Sequence, residues 1–140
     1  MTPDQVKNVQ ASFAKVVPIA DEAARLFYDR LFETAPETRA LFKGDMREQG
    51  RMLMATLATV VNSLHRIEAI TPAVRSLAQR HVAYGVRAEH YPLVGGALLW
   101  TLEQGLGDQF TPKLRDAWAT AYGALSEMMI ESAYPSAAAP

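Results

Sequence analysis

The sequence predicts an all-α fold, on three observations. Threonine–proline pairs at positions 2–3, 71–72 and 111–112 each open a segment whose apolar residues recur at helical spacing. Threonine can cap the free N–H groups of a first helical turn, and proline at the first helical position loses no hydrogen bond. No Asn-Gly or Asp-Gly hairpin turn occurs, and no strictly alternating strand pattern exceeds a few residues.

The helices follow in chain order from these and similar signals. Helices are predicted over 3–17, 19–34, 36–42 (a short turn), 46–67, 72–84, 92–106 and 112–132. Thr2 and Gln5 form a capping box at the first helix, Pro18 separates the first two, and Pro36 opens the short turn. Gly85 interrupts the helical pattern between the fifth and sixth helices.

Two segments stand out within these helices. The run MLMATLATVV at 52–61 is apolar on every side except for its threonines, so we expect neighbours to cover it all round. The pair Gly95-Gly96 costs about 1 kcal/mol per glycine in a helix, which indicates that another backbone or a ligand comes close. Of these two explanations, close packing is favoured.

Length and composition favour one globular domain. The 140 residues match the usual size of a domain, and 49% hydrophobic with 21% charged residues is a globular composition. We expect a single domain over 1–133 and a flexible tail, YPSAAAP, over 134–140.

Charge and hydropathy exclude several classes of protein. The 14 basic and 15 acidic residues are interspersed and give a formal charge of −1, which disfavours nucleic-acid binding. No signal peptide is seen at the N-terminus, and no 18-residue window is free of charge, so a membrane span is excluded. The absence of cysteine fits a reducing compartment. We therefore expect a cytoplasmic protein.

The candidates for chemistry are few. The signatures of hydrolases, nucleotide-binding loops, zinc proteases and EF-hands are absent, which leaves three histidines and a set of aromatic residues. His81 shares a helical stripe with Val74, Leu77 and Ala78, so its imidazole is expected to face the interior. Spacing leaves two interpretations open: a buried neutral histidine bonded to a carbonyl, or an axial ligand of a haem iron.

Five motifs, in conserved order and spacing, resemble those of one known family. They are FYDRLFETAPETRALF at 27–42, QGRMLM at 49–54, RHVAYGV at 80–86, HYPLVGGALLW at 90–100 and DAWATAYG at 116–123. Together they resemble the globin family over about residues 5–132, especially bacterial single-domain haemoglobins of the flavohaemoglobin and neuroglobin-like branches. The resemblance implies about seven to eight helices in a 3-over-3 arrangement around a pocket for haem b, iron protoporphyrin IX.

The resemblance also implies roles for individual residues. His81 matches the proximal haem ligand, Tyr28 the tyrosine above the iron, and Gln49 the distal position. The other implied haem contacts are Phe42, Leu53, Leu77, Val86, Tyr91, Val94 and Leu98. The carbonyl of Leu77, one turn before His81, is in reach of the second ring N–H of the imidazole. His65 and His90 are expected at the surface, with a capping role possible for His90.

The distal pair has a physical rationale. Gln49 heads an otherwise apolar stripe of its helix, and Tyr28 offers an O–H beside it. Bound dioxygen carries partial negative charge, so each donor can contribute about 1.5–3 kcal/mol, or tenfold or more in affinity. Glutamine is a poor iron ligand, which predicts an open, five-coordinate ferrous iron. The alternative is a Tyr28 hydroxyl at the surface and an exposed Gln49.

Departures from the family pattern concern the proximal side and the rim. Flavohaemoglobins pair a tyrosine matching Tyr91 with a glutamate in the last helix, but that position here is Ala133, and Glu131 points elsewhere. Met52 stands where related globins often carry a lysine near a haem propionate. Arg51, Arg80 or Arg87 is expected to replace that lysine. The sequence also ends where a flavohaemoglobin would begin its flavin and nicotinamide domain.

Four functions are carried forward from the sequence. The first is reversible binding of O2, with CO and NO as further ligands. The alternative is an enzyme, a nitric oxide dioxygenase that relies on a separate reductase. A haem-free helical interaction domain would be colourless, and a haem sensor would need an output module.

Overall fold

A computed structural model describes residues 1–133 and shows helices joined by short turns. The α-helices in this range are α1 (Pro3–Val16), α2 (Ala20–Thr34), α3 (Met46–Asn62), α4 (Thr71–Ala83), α5 (His90–Leu106) and α6 (Pro112–Ala133). The 3₁₀ segments are Val17–Ile19, Pro36–Leu41, Leu64–Ile70 and Gly107–Gln109. No strand occurs in this part of the chain, which confirms the all-α prediction. The predicted tail, 134–140, lies outside the described residues.

The number of α-helices within residues 1–133 is six, slightly below the expected seven to eight. The short turn expected over 36–42 forms a 3₁₀ segment, Pro36–Leu41, rather than an α-helix. The helix expected over 46–67 ends at Asn62, where Ser63 leaves α-helical geometry at φ −109° and ψ 7°. The chain continues as the 3₁₀ segment Leu64–Ile70, which is itself interrupted at Arg66. No glycine or proline marks that end, so the sequence pattern carried no signal for it.

The threonine caps are correct at two of the three predicted positions. Thr2 Oγ1 accepts from the Gln5 backbone N–H at 3.1 Å, and Gln5 Oε1 accepts in return from the Thr2 N–H at 3.0 Å. At α6, Thr111 Oγ1 accepts from the Leu114 N–H at 3.2 Å. The prediction for Thr71 is wrong: the preceding 3₁₀ segment runs directly into α4, and its hydroxyl donates to the Glu68 carbonyl instead.

The helices pack in pairs around one apolar core. Helix α2 packs mainly against α5 and α3, α4 packs against α6, and α1 also lies against α6. The indole N–H of the buried Trp118 in α6 donates to Ser12 Oγ in α1 at 2.9 Å. Among the described helices, α5 has the most buried residues, seven between Tyr91 and Leu106.

The segment at 52–61 is less buried than its composition predicts. Only Val60 and Val61 in it are fully buried, and Met52 is 52% exposed. The expectation that neighbours cover this segment all round is therefore wrong. Helix α3 packs on α2 and α1, and Leu53, Met54, Leu57 and Ala58 are only partly buried against the core.

Close packing explains the first of the two adjacent glycines. A Cβ added at Gly95 would stand 2.7 Å from Cε2 of Tyr122, whereas nothing lies within 4 Å of one added at Gly96. The close neighbour is an aromatic ring rather than a backbone. In the described part of the chain, no helix is both long and apolar enough to cross a membrane. The cytoplasmic location stays a prediction.

Candidate functional site

His81 lies on the inward face of α4, as its helical stripe predicts. Val74 and Ala78 on the same stripe are fully buried, and His81 itself is half-buried. The ring Nδ1 lies 2.8 Å from the Leu77 carbonyl oxygen. A carbonyl can only accept, so Nδ1 carries the proton and donates. Within residues 1–133 no hydrogen bond reaches Nε2, which leaves its lone pair available.

The surroundings of His81 favour its neutral form. Burial lowers the pKa of the imidazole, and the positive charge of neighbouring Arg80 lowers it further. The hydrogen bond to the Leu77 carbonyl opposes this and raises the pKa, but burial is the largest effect. A neutral imidazole with one nitrogen protonated and the other free is the form that binds metals.

Tyr28 and Gln49 meet at the junction of α2 and α3. Tyr28 is 5% exposed, and its hydroxyl shares a hydrogen bond with the Gln49 side chain. Burial raises the pKa of Tyr28 to about 12, although the bond to Gln49 lowers it somewhat. Gln49 is half-buried. The alternative of a surface hydroxyl and an exposed glutamine therefore does not describe this pair.

An aromatic cluster holds Tyr28 in place. The ring of Phe42 meets that of Tyr28 edge-on, with centroids 5.2 Å apart. Phe32, one helical turn after Tyr28, stacks on it at 6.0 Å and also meets Phe42 edge-on at 5.6 Å. Such pairs each contribute about 0.5–1.5 kcal/mol beyond burial of area. Phe32 was not singled out from the sequence, although its spacing of four residues from Tyr28 was the available signal.

The segment around Leu41 and Phe42 connects the Tyr28 side with the His81 side. Gly85 in the loop after α4 has φ +97°, and a Cβ there would stand 3.5 Å from Cδ2 of Leu41. The same loop is bound back to α4 by the Val86 N–H, which donates to the His81 carbonyl at 2.9 Å. Leu41 thus touches the loop that follows His81, while its neighbour Phe42 touches Tyr28.

The apolar residues that the resemblance assigns to haem lie at or near the edge of the core. The half-buried ones are Phe42, Leu53, Leu77, Val86 and Val94. Tyr91 and Leu98, which the resemblance also assigns to haem, are fully buried in α5. These residues belong to α3, α4, α5 and the segments that join them.

A hydrogen bond from α6 holds the start of α5 in place. The Tyr122 hydroxyl donates to the backbone carbonyl of Tyr91 at 2.6 Å, and burial strongly raises the pKa of Tyr122. Tyr122 lies within a quoted motif but was not named from the sequence as a site residue. At the end of α6, Ala133 packs against the core and Glu131 is exposed.

Of the three arginines proposed for the rim, one is not engaged elsewhere. Arg51 pairs with Glu48 at 3.5 Å, and Arg87 pairs with Glu89 at 3.6 Å. Arg80 forms no ion pair with any residue between 1 and 133 and is exposed next to His81.

The other two histidines differ in their surroundings. His65 is exposed, as expected. His90, the first residue of α5, is half-buried and accepts from the Arg87 backbone N–H through Nδ1 at 2.9 Å. Because Arg87 precedes the helix, this bond closes the turn before α5 and does not cap the helix.

Comparison with known proteins gives one consistent result. The Globin family model matches residues 25–129. A flavohaemoprotein of Bordetella parapertussis is 37% identical over 134 residues, which cover 93% of this chain and 33% of that protein. A flavohaemoprotein of Deinococcus radiodurans is 34% identical over 133 residues, with the same coverage of 93% and 33%. The chain thus spans about one third of the length of the curated relatives it matches.

Solved structures agree in fold. An engineered carbene transferase, described as a nitric oxide dioxygenase from Rhodothermus marinus, is 28% identical with a TM-score of 0.88, and the match covers 96% of this chain and 94% of that one. A bacterial globin from Campylobacter jejuni is 24% identical with a TM-score of 0.85, covering 96% and 97% of the two chains.

Proposed function

This chain belongs to the globin family, whose members are haem proteins, and we propose that it holds haem b and binds dioxygen reversibly at ferrous iron. The observation that carries the proposal is the state of His81. Its Nδ1–H is committed to the Leu77 carbonyl at 2.8 Å, which leaves Nε2 free for a metal. A histidine that ligates a metal normally donates its other ring N–H to an acceptor of this kind, which fixes the tautomer and the ring orientation.

The residues present fit a porphyrin. A single neutral imidazole beside an apolar lining is the donor set of a haem with one protein ligand. The side chains that we assign to the porphyrin are Phe42, Leu53, Leu77, Val86, Tyr91, Val94 and Leu98. Arg80, exposed and without an ion pair in the described chain, is the cation that we assign to a propionate. When bound, ferrous haem supplies the position at which O2, CO or NO binds.

Tyr28 and Gln49 give the distal side its polarity. With a pKa of about 12, the Tyr28 hydroxyl keeps its proton at neutral pH and can donate. Gln49 orients that hydroxyl through their shared hydrogen bond and brings a second N–H donor to the same place. Donors to a charged acceptor in a dry site contribute about 1.5–3 kcal/mol each. We therefore expect slow release of dioxygen.

A second candidate function is nitric oxide dioxygenation. It is favoured by the similarity to flavohaemoproteins and to a structure described as a nitric oxide dioxygenase. In that reaction nitric oxide, dioxygen and one electron give nitrate, so sustained turnover needs a separate reductase. The resemblance places Ala133 where flavohaemoglobins carry the last-helix glutamate, which weighs against this second function.

Two measurements test these proposals. Visible spectra of the purified chain in its reduced, oxygenated and carbonyl forms should show a Soret band that shifts between forms. A chain that stays colourless after titration with hemin would overturn the haem assignment. Nitrate production is then followed with a flavin reductase and NADH as the electron source. Nitrate in many-fold excess over protein supports the enzyme, and a single equivalent supports oxygen binding alone.

A further inference from the structure

A concave site lies where α1 meets the start of α6, apart from the residues assigned to haem. It is a cleft of about 250 Å³. Its lining residues are Asn8, Ala11, Ser12, Lys15, Leu106, Gln109, Thr111, Lys113 and Leu114. None of these residues belongs to the set assigned above to haem or to dioxygen.

The inner surface of the cleft is apolar. Leu106 is buried, and Leu114 packs against the core beside it. The one buried polar group, the Ser12 hydroxyl, is already satisfied: it donates to the Val9 carbonyl at 2.9 Å and accepts from the Trp118 indole N–H at 2.9 Å. Leu106 and Leu114 therefore offer a ligand apolar contact, and the Asn8 side chain is a further polar group of the lining.

The rim is cationic. Lys15 donates to Gln109 Oε1 at 2.5 Å, which holds its ammonium group at the edge, and Lys113 stands in the first turn of α6. Neither lysine forms an ion pair in the part of the chain that the structure describes. The nearest acidic residues in sequence, Asp108 and Asp116, do not line the cleft. Two positive charges thus face one opening, and neither is ion-paired with a carboxylate among residues 1–133.

We propose that this cleft binds a small amphipathic anion, a carboxylate with a short aliphatic chain. The apolar floor contacts the aliphatic part of the ligand, and the ammonium groups of Lys15 and Lys113 bind its carboxylate. The volume of the cleft is slightly below the usual range of ligand pockets, about 300–1,000 Å³, so the aliphatic part of the ligand must be short. The proposal does not depend on what the haem site binds.

Hexanoate is the probe for this proposal. The full chain, reduced under carbon monoxide, is titrated with hexanoate and followed by ¹H–¹⁵N NMR. We expect saturable shifts of the Trp118 indole N–H, since its acceptor Ser12 lines the cleft, and of the Lys113 amide. Hexanol, which keeps the chain without the charge, and inorganic phosphate, which keeps the charge without the chain, should both bind more weakly than hexanoate.

Charge-removing variants complete the test. Lys15→Gln with Lys113→Gln should weaken hexanoate binding about fivefold, the effect of two exposed ion pairs. Lys7→Gln, an exposed lysine on α1 outside the lining, is the matched control and should leave it unchanged. The absence of saturable shifts, equal binding of hexanol or phosphate, or unchanged affinity in the double variant would each overturn the proposal. Thermal melting of each variant checks that it is folded.

Discussion

Gly95 of α5 and Tyr122 of α6 are in direct contact, and the space that a side chain at residue 95 would need is filled by the tyrosine ring. The hydroxyl of the same tyrosine donates to the Tyr91 carbonyl at 2.6 Å, so the ring is held at its far end and cannot move aside freely. The contact sets how closely the helix that carries Tyr91 and Val94 approaches α6.

Gly95→Ala should destabilise the protein. The new Cβ would lie 2.7 Å from Tyr122 Cε2 and 3.0 Å from Cδ2, and overpacking of this kind costs about 1–3 kcal/mol. Higher helix propensity of alanine returns about 1 kcal/mol of that cost. Gly96→Ala is the matched control, because nothing lies within 4 Å of a Cβ added at Gly96. This variant should gain up to about 1 kcal/mol of stability from the higher helix propensity of alanine. Urea denaturation checks both, and equal midpoints for the two variants would contradict the packing argument.

His81→Ala should remove stable haem binding, because no other histidine in the described chain lies on the lining of the site. The measurement is the ratio of Soret to protein absorbance after purification. His65→Ala changes an exposed histidine and should keep the ratio of the parent protein. Circular dichroism separates lost ligation from lost fold. Normal haem retention in folded His81→Ala would refute the axial assignment.

Tyr28→Phe should speed dioxygen release about tenfold or more, because it removes one donor to a charged acceptor. Stopped-flow displacement of dioxygen by carbon monoxide measures the rate. Tyr84→Phe removes a hydroxyl from a side chain that is 62% exposed and should leave the rate unchanged.

The shared hydrogen bond adds a second check on the distal pair. Since Tyr28 and Gln49 bond to each other, Tyr28→Phe combined with Gln49→Leu should change the rate by less than the product of the two single effects. Strictly multiplicative effects would show that the two side chains act separately.

The rate of dioxygen release should not depend on the ionisation of Tyr28 between about pH 6 and pH 9, well below its shifted pKa. Burial raises the pKa of its hydroxyl from 10.0 to about 12, so the folded chain keeps the proton while the unfolded chain loses it first. Its contribution to stability is therefore complete below pH 10.0 and is lost as the pH rises towards about 12. A rise in release rate within the lower range that disappears in Tyr28→Phe would contradict this assignment.

Local signals predicted most of the fold. The capping box at Thr2 and the threonine cap at α6 are side-chain chemistry close in sequence, and both form as expected. The start of α4 was also predicted, to within one residue, from Pro72. The end of α3 could not be found in this way, because Ser63 leaves helical geometry at φ −109° and ψ 7° without a glycine or proline.

For the candidate site too, local contacts could be predicted from the sequence and contacts between distant residues could not. The inward stripe of His81 and its bond to Leu77 follow from helical spacing, which is local. The contact between Tyr28 and Gln49 joins two helices, so spacing alone left it open, and it was anticipated only through family resemblance. Tyr122 was missed because its partner, the backbone carbonyl of Tyr91, is 31 residues away and leaves no mark in the sequence.

The bond between Ser12 and Trp118 can form only late in synthesis, because its two residues lie near opposite ends of the chain. The two residues are 106 positions apart, and ribosomes add about 5–20 residues per second. Helix α1 therefore waits about 5–20 seconds after its own synthesis before the indole that it will bind emerges. During that delay Phe13 and Val16, which are buried in the folded protein, lack the final helix that covers them. Nascent chains stalled before residue 118 should therefore be bound preferentially by chaperones that recognise apolar segments.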